Sequence, residues 1–77
     1  MLRFYFDVHH DGGIIIDDEG IDLPDMNAAG RQALVALGEA ILHEADVLKS
    51  STTKIEVRDA ASRVVLRTSA AVLFEIL

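Results

Sequence analysis

The chain has 77 residues, no cysteine and a formal net charge of −6, so it has room for one domain without disulfides or thiolate metal sites. The acidic balance argues against non-specific binding of nucleic acid. Hydrophobic residues make up 51% of the sequence, an apolar-rich composition that predicts surface buried against another copy. With neither a secretory signal nor an apolar run of about 20 residues, we expect a single cytoplasmic domain over residues 1–77 that does not enter a membrane.

The beginning of the chain predicts a β-hairpin. Residues 3–9 alternate aromatic or β-branched side chains with polar ones, which is the two-residue rhythm of a half-buried strand. The apolar face of this strand consists of Phe4, Phe6 and Val8. Residues 11–13, Asp-Gly-Gly, supply a tight turn because glycine tolerates positive φ. The three isoleucines at 14–16 predict a second strand that is buried on both faces or carries a bulge.

A loop leads from this hairpin to a helix. Residues 17–25 read DDEGIDLPD, in which Gly20 and Pro24 interrupt regular structure. Asp25 is suited to cap the helix, because its carboxylate can accept hydrogen bonds from the free N–H groups of the first turn. We therefore predict a loop that ends in a capped helix.

Residues 26–49 predict the one long helix, because apolar side chains recur there at spacings of three and four. The apolar stripe consists of Met26, Ala29, Ala33, Leu37, Ala40, Ile41, Ala45 and Leu48, with Leu34 beside it. Val35 and Leu42, seven residues apart, lie away from this stripe. Gly30 and Gly38 are unfavourable inside a helix, and a close approach of the helix to the sheet would explain both.

The last third of the chain predicts a second hairpin and an apolar end. Residues 54–58 alternate as a strand, residues 59–62 form a short turn, and residues 63–68 form the next strand. Residues 70–77 are mostly apolar, and we expect them to dock as a short helix or an extra strand. The order β-β-α-β-β predicts an α+β fold, with one long helix packed on a mainly antiparallel four-stranded sheet.

Short motifs are spread over nearly the whole chain. They are Arg3-Phe4-Tyr5-Phe6, Asp11-Gly12-Gly13, Asp18-Glu19-Gly20 with Leu23-Pro24-Asp25, the alanine-rich helix, Ile55-Glu56-Val57 with Asp59, and Val64-Val65-Leu66. Together they resemble a family of short bacterial proteins catalogued as a domain of unknown function. The family often has His where this chain has Asp7, and Gly where it has Ser62. The resemblance implies no activity, cofactor or catalytic residue.

Two segments that flank the first hairpin combine imidazole with carboxylate, a ligand set that suits Zn or Mn. They are His9-His10-Asp11 and Asp17-Asp18-Glu19. Adjacent histidines on a strand point to opposite faces, and the acidic loop lacks the order of a calcium loop. We therefore predict no metal, cofactor or catalytic residue here, and a metal-dependent enzyme is the third of three functional hypotheses.

The outer face of the predicted sheet collects most of the basic residues. They are Arg3, Lys54, Arg58, Arg63 and Arg67, with Tyr5 and His9 among them and Asp7 and Glu56 opposing them. A basic sheet face that bears an aromatic residue can bind single-stranded nucleic acid or another anionic ligand, which is the second hypothesis. The ordinary interpretation is cross-strand charge pairing that discourages edge association.

The first hypothesis is a non-catalytic protein-interaction module that self-associates as a homodimer or binds an unknown protein partner. The candidate contact residues are Val35, Leu42, Val65, Phe74 and Leu77. We expect Val65 on the outer sheet face and the last two in the apolar end. The alternative is a monomer whose apolar end closes the core, since scattered exposed aliphatic side chains are normal.

Overall fold

One helix packs against one face of an antiparallel five-stranded sheet in the computed structural model, which describes residues 1–46 and 48–77. The predicted α+β class and the packing of one long helix on the sheet are therefore confirmed. The elements are β1 Leu2–His10, β2 Gly13–Ile15, β3 Ile21–Leu23, α1 Met26–His43, a 3-10 turn Glu44–Asp46, β4 Ser51–Arg58 and β5 Val64–Val72.

Strand β1 is the hub of the sheet, because it pairs with three other strands. The order across the sheet is β2-β1-β4-β5, and β3 also pairs with β1. Strands β2 and β3 follow each other along the same edge of β1, with β2 at its C-terminal half and β3 at its N-terminal half. Strand β5 forms the opposite edge. The segment expected to be a plain loop, residues 17–25, thus contains an additional strand.

The core lies between α1 and the inner face of β1 and β4. The buried apolar residues are Phe4, Ala29, Ala33, Leu37, Ile55 and Val57. The two-residue rhythm correctly predicted which residues of β1 and β4 meet the helix, and Phe6 and Val8 pack against the same cluster. In β5 it predicted Leu66 correctly but Val64 wrongly, because Val64 is exposed. Asp25 caps α1 as predicted, since its Oδ1 accepts a hydrogen bond from the N–H of Ala28 at 2.8 Å. Within the described residues, no helix is long and apolar enough to cross a bilayer.

The helix is shorter than the periodicity suggested. It ends at His43 and tightens into the 3-10 turn, so Leu48 lies beyond it and is exposed. Gly30 is close to the sheet, since a Cβ there would lie 3.9 Å from Cδ1 of Leu66. At Gly38 a Cβ would meet nothing within 4 Å, so close approach to the sheet does not explain this glycine.

The C-terminal end differs from the expectation of a docked helix or extra strand. Residues 70–72 extend β5, whereas residues 73–77 have no regular structure and are exposed. The pairing of β5 with β4 ends at Val72 and Ser51, where β4 begins, so the following residues have no neighbouring strand. Ser50 provides the side-chain hydrogen bonds found at this end among the described residues: its hydroxyl accepts from the N–H of Phe74 at 3.0 Å and lies 3.5 Å from the carbonyl oxygen of Phe74.

A β-bulge changes the orientation of one predicted contact residue. The register of β4 and β5 shifts between Val57 and Arg58, which pair with Leu66 and Val64. Val65 is therefore an extra residue, and it packs against the core cluster while remaining half-buried. Its expected position on the outer sheet face is wrong, because a bulge inserts one residue and reverses the alternation beyond it.

Candidate functional site

Asp7 is a buried carboxylate at the centre of the outer sheet face. Its Oδ2 accepts a hydrogen bond from Nε of Arg58 at 2.7 Å, and its Oδ1 accepts from Nη2 of Arg58 and the N–H of Asp17, both at 3.0 Å. Hydrogen bonding to Arg58 lowers the pKa of Asp7, although burial opposes this effect. The same bond raises the pKa of Arg58. This pair joins residues 51 positions apart, so it ties the first strand to the fourth.

Asp17 fills the gap in the sheet edge between β2 and β3. Its Oδ2 accepts from the N–H of Phe6 at 3.0 Å, and its Oδ1 accepts from the N–H groups of Glu19 and Gly20. Burial raises the pKa of Asp17, but these three donors outweigh burial and lower it overall. The carboxylate thus replaces the backbone partner that a continuous strand would provide.

Tyr5 was the predicted stacking residue, and it is half-buried against other parts of the chain. The guanidinium of Arg58 lies over its ring, 5.1 Å from the centroid. Gly20 has a φ of 74°, and a Cβ there would lie 2.9 Å from Cε2 of Tyr5 and 2.8 Å from Cδ of Arg3. The loop after β2 therefore lies against this tyrosine, and only a backbone without a side chain fits so closely.

Carboxylates partner the remaining basic residues predicted for a binding face. Arg3 pairs with Asp22 at 2.8 Å. Three nitrogen atoms of basic side chains lie close to the carboxylate of Glu56: Nη2 of Arg67 at 2.7 Å, Nε2 of His9 at 2.9 Å and Nζ of Lys54 at 3.8 Å. Hydrogen bonding to Arg67 lowers the pKa of Glu56. The contacts of Arg3, His9 and Arg67 are the cross-strand pairs of the ordinary interpretation, whereas Lys54 and Glu56 lie on the same strand, β4.

Arg63 does not belong to the outer face. It precedes β5 in the turn that connects β4 and β5, where its Nη2 lies 3.0 Å from Oδ2 of Asp59. The backbone N–H of Arg63 also donates to Asp59 Oδ1 at 3.0 Å. That bond lowers the pKa of Asp59. The structure therefore brings Arg3, Tyr5, Lys54, Arg58 and Arg67 to the outer face and assigns Arg63 to the turn.

A groove of about 440 Å³ opens between the C-terminal end of α1 and the strands β1 and β2. Its lining residues are Val8, His10, Ile15, Ala36, Glu39, Ala40, His43 and Glu44. His10 Nδ1 accepts a hydrogen bond from the N–H of Gly12 at 3.0 Å and lies 3.7 Å from Oε1 of Glu44. Its lining thus combines four apolar residues with two histidines and two glutamates.

The two segments considered for a metal site are not assembled into one. His9 contacts Glu56 on the outer face, whereas His10 lines the groove on the inner side. Asp17 is occupied by backbone N–H groups. In the described ranges 1–46 and 48–77, no group of three or more histidines and carboxylates has the arrangement to hold a metal ion.

Large apolar side chains on the surface are the second feature of the molecule. Leu34, Val35 and Leu42 are 60%, 52% and 77% exposed on α1. Phe74 and Leu77 are exposed in the C-terminal end. Sequence reasoning missed Leu34, because its position one residue after buried Ala33 placed it beside the core stripe. The prediction that the isoleucines at 14–16 are buried on both faces is wrong, because β2 is a short strand at the sheet edge and all three are exposed.

The fold and these contacts define a small α+β domain with a charge-paired outer sheet face and an apolar helix surface. The chain belongs to the family described as Domain of unknown function (DUF6894), whose family model matches residues 3–71. The resemblance seen in the sequence motifs is thereby confirmed. Comparison with curated proteins and with solved structures gave no match.

Proposed function

We propose that this chain is a non-catalytic protein-interaction module that self-associates as a homodimer. One observation carries the proposal: sixteen large hydrophobic side chains of the described residues are exposed, whereas the buried core cluster contains four, Phe4, Leu37, Ile55 and Val57, besides two alanines. Three of them, Leu34, Val35 and Leu42, lie on one face of α1, and exposed apolar side chains that cluster in this way mark interaction surfaces. Small domains also gain stability from association, because their own cores are limited.

The state of the ionisable groups supports a role without catalysis. A general acid or base works best with a pKa near the operating pH. The carboxyls of Asp7, Asp17, Glu56 and Asp59 all have lowered pKa values, because arginine or backbone N–H groups donate to them. These shifts move the carboxyls away from neutral pH and favour structural ion pairs.

Binding of nucleic acid or another anionic ligand remains the second hypothesis. Such a ligand would compete with Glu56 for Arg67 and with Asp22 for Arg3. Arg58 is held by Asp7 through two hydrogen bonds, so an anionic ligand would also compete with a largely buried carboxylate for this guanidinium. Self-association requires none of these contacts to break.

Self-association is tested by size-exclusion chromatography with light scattering and by thermal melts over about 1–100 µM protein. A dimer has twice the chain mass of 8.4 kDa, and its melting temperature rises with concentration because dissociation is coupled to unfolding. A constant mass of 8.4 kDa with a concentration-independent melting temperature would overturn the proposal.

A further inference from the structure

Gly38 is a helix residue that no contact within residues 1–46 and 48–77 explains. A glycine inside a helix is less favourable than alanine. Gly38 is exposed, and a Cβ on it would meet no atom within 4 Å among the described residues. Alanine would therefore fit the isolated chain and stabilise its helix. A requirement for close approach from outside would account for the glycine.

The residues around Gly38 form an apolar strip on the solvent side of α1. Leu34 and Leu42 lie one helical turn before and after it, and Val35 lies beside them. All three are more than half exposed. We call Leu34, Val35, Gly38 and Leu42 the outer stripe. It faces away from Ala33 and Leu37, which are buried against the sheet.

We infer that the outer stripe binds the outer stripe of a second copy, and that the two α1 helices cross antiparallel at Gly38. This inference rests on the proposed self-association and names its surface. A twofold axis at Gly38 sets Leu34 of one copy at the level of Leu42 of the other, and repeats this pair on the opposite side. Helix axes pack 8–10 Å apart depending on the side chains at the contact, so glycine at the crossing point allows the shortest separation.

The charges at the ends of the stripe are complementary in this arrangement. Arg31 precedes the stripe and Asp46 follows it in the 3-10 turn, and neither has an ionic partner among residues 1–46 and 48–77. The twofold axis brings Arg31 of one copy opposite residue 45 of the other, next to Asp46. A parallel arrangement would instead set Arg31 against Arg31, which is unfavourable.

The decisive variant is Gly38→Gln, because its expected effects on the helix and on the interface have opposite signs. Glutamine is a better helix former than glycine and has open space in the single chain, so the folded chain is not disrupted. Its side chain would occupy the crossing point and hold the two helices apart. We expect the dimer dissociation constant to rise at least about tenfold, measured by analytical ultracentrifugation. Circular dichroism checks that the helix is retained.

Two further variants locate the interface. Leu42→Gln should weaken the dimer as Gly38→Gln does, because it removes an apolar contact of the stripe. Leu73→Gln is the matched control, since Leu73 is equally exposed at 77% but lies in the C-terminal end. We expect it to leave the dissociation constant unchanged.

The outcomes separate this inference from the proposed function. A dimeric wild type whose dissociation constant is unchanged by Gly38→Gln and Leu42→Gln would overturn the outer stripe while leaving self-association intact. Dissociation by Leu73→Gln alone would assign the interface to the C-terminal end and overturn the stripe as well. A wild type that is monomeric throughout would overturn the proposed function itself.

Discussion

Ser62 has a backbone conformation that suits glycine better than serine. Its φ is 63°, in the left-handed region, and it follows a turn in which its N–H donates to the carbonyl of Asp59 at 3.0 Å. A hairpin turn of this form commonly takes glycine at the left-handed position. The glycine that the family often has at this position therefore has a physical reason.

Replacing Ser62 by glycine should stabilise the protein. The left-handed conformation is about 1–2 kcal/mol less favourable for a residue with a side chain, so glycine removes this strain. Part of the gain in stability is lost because glycine has greater conformational freedom in the unfolded chain. We expect Ser62→Gly to raise the free energy of unfolding by roughly 0.5–1 kcal/mol, measured by urea denaturation at a fixed protein concentration. Ser62→Ala keeps the strain and should be near neutral. Equal stabilities of the two variants would contradict this explanation.

At the residue scale, alternation predicted burial better than it predicted polar contacts. Phe4, Ile55 and Val57 are buried as expected, because a strand with one covered face exposes every second side chain. The bond between Asp7 and Arg58 spans 51 positions and depends on strand order, which the pattern does not contain. The sequence therefore placed Asp7 and Glu56 on the same face as the basic residues, but it did not predict that Asp7 binds Arg58.

At the scale of elements, the edge formed by β2 and β3 depends on a single side chain. The two strands pair with opposite ends of β1, and residues 16–20 between them are not paired with β1. Asp17 supplies the missing acceptor for Phe6 and also fixes the turn through Gly20. A segment rich in Asp and Gly predicts a loop, so the short β3 inside it could not be recognised from composition.

Removing the carboxylate of Asp17 should destabilise this edge. Asp17→Ala leaves three backbone N–H groups without their acceptor, and we expect a loss of about 2 kcal/mol in the free energy of unfolding at about pH 7. Asp18→Ala is the matched control. Asp18 is exposed and its side chain has no hydrogen bond to the described residues, so its replacement should change stability by less than about 0.5 kcal/mol.

The effect of Asp17→Ala should also depend on pH. The pKa of Asp17 in the folded protein lies below its ordinary value of 3.8, so the ionised carboxylate contributes its full stabilisation above that value. The contribution is lost as the pH falls through the lowered pKa. The difference in unfolding free energy between wild type and variant should therefore shrink as the pH falls from about 7 into the acid range. A difference that grows on acidification would show that the ionised carboxylate of Asp17 does not stabilise the folded protein.

At the scale of the whole molecule, the element order and the single core followed from periodicity, but the ends of the elements did not. The apolar stripe continued past the end of α1 at His43, and the apolar run after Ser69 suggested a docked end. Hydrophobicity alone does not say whether a side chain meets its own chain or another. The exposed apolar surface is therefore the part of the fold that sequence reasoning left unresolved, and it is the part that the proposed dimer would use.

Deleting residues 73–77 should leave the domain folded. These residues are exposed, and the hydroxyl of Ser50 provides their hydrogen bonds to the rest of the described chain. Removing them takes no side chain from the core, so we expect the free energy of unfolding to change by less than about 0.5 kcal/mol in urea denaturation. Ile55→Ala is the comparison, because it creates a cavity in the core and should cost about 2–4 kcal/mol. A truncated chain as unstable as Ile55→Ala would mean that the apolar end packs against the fold, whereas unchanged stability with unchanged dimer mass would restrict the interface to residues before Leu73.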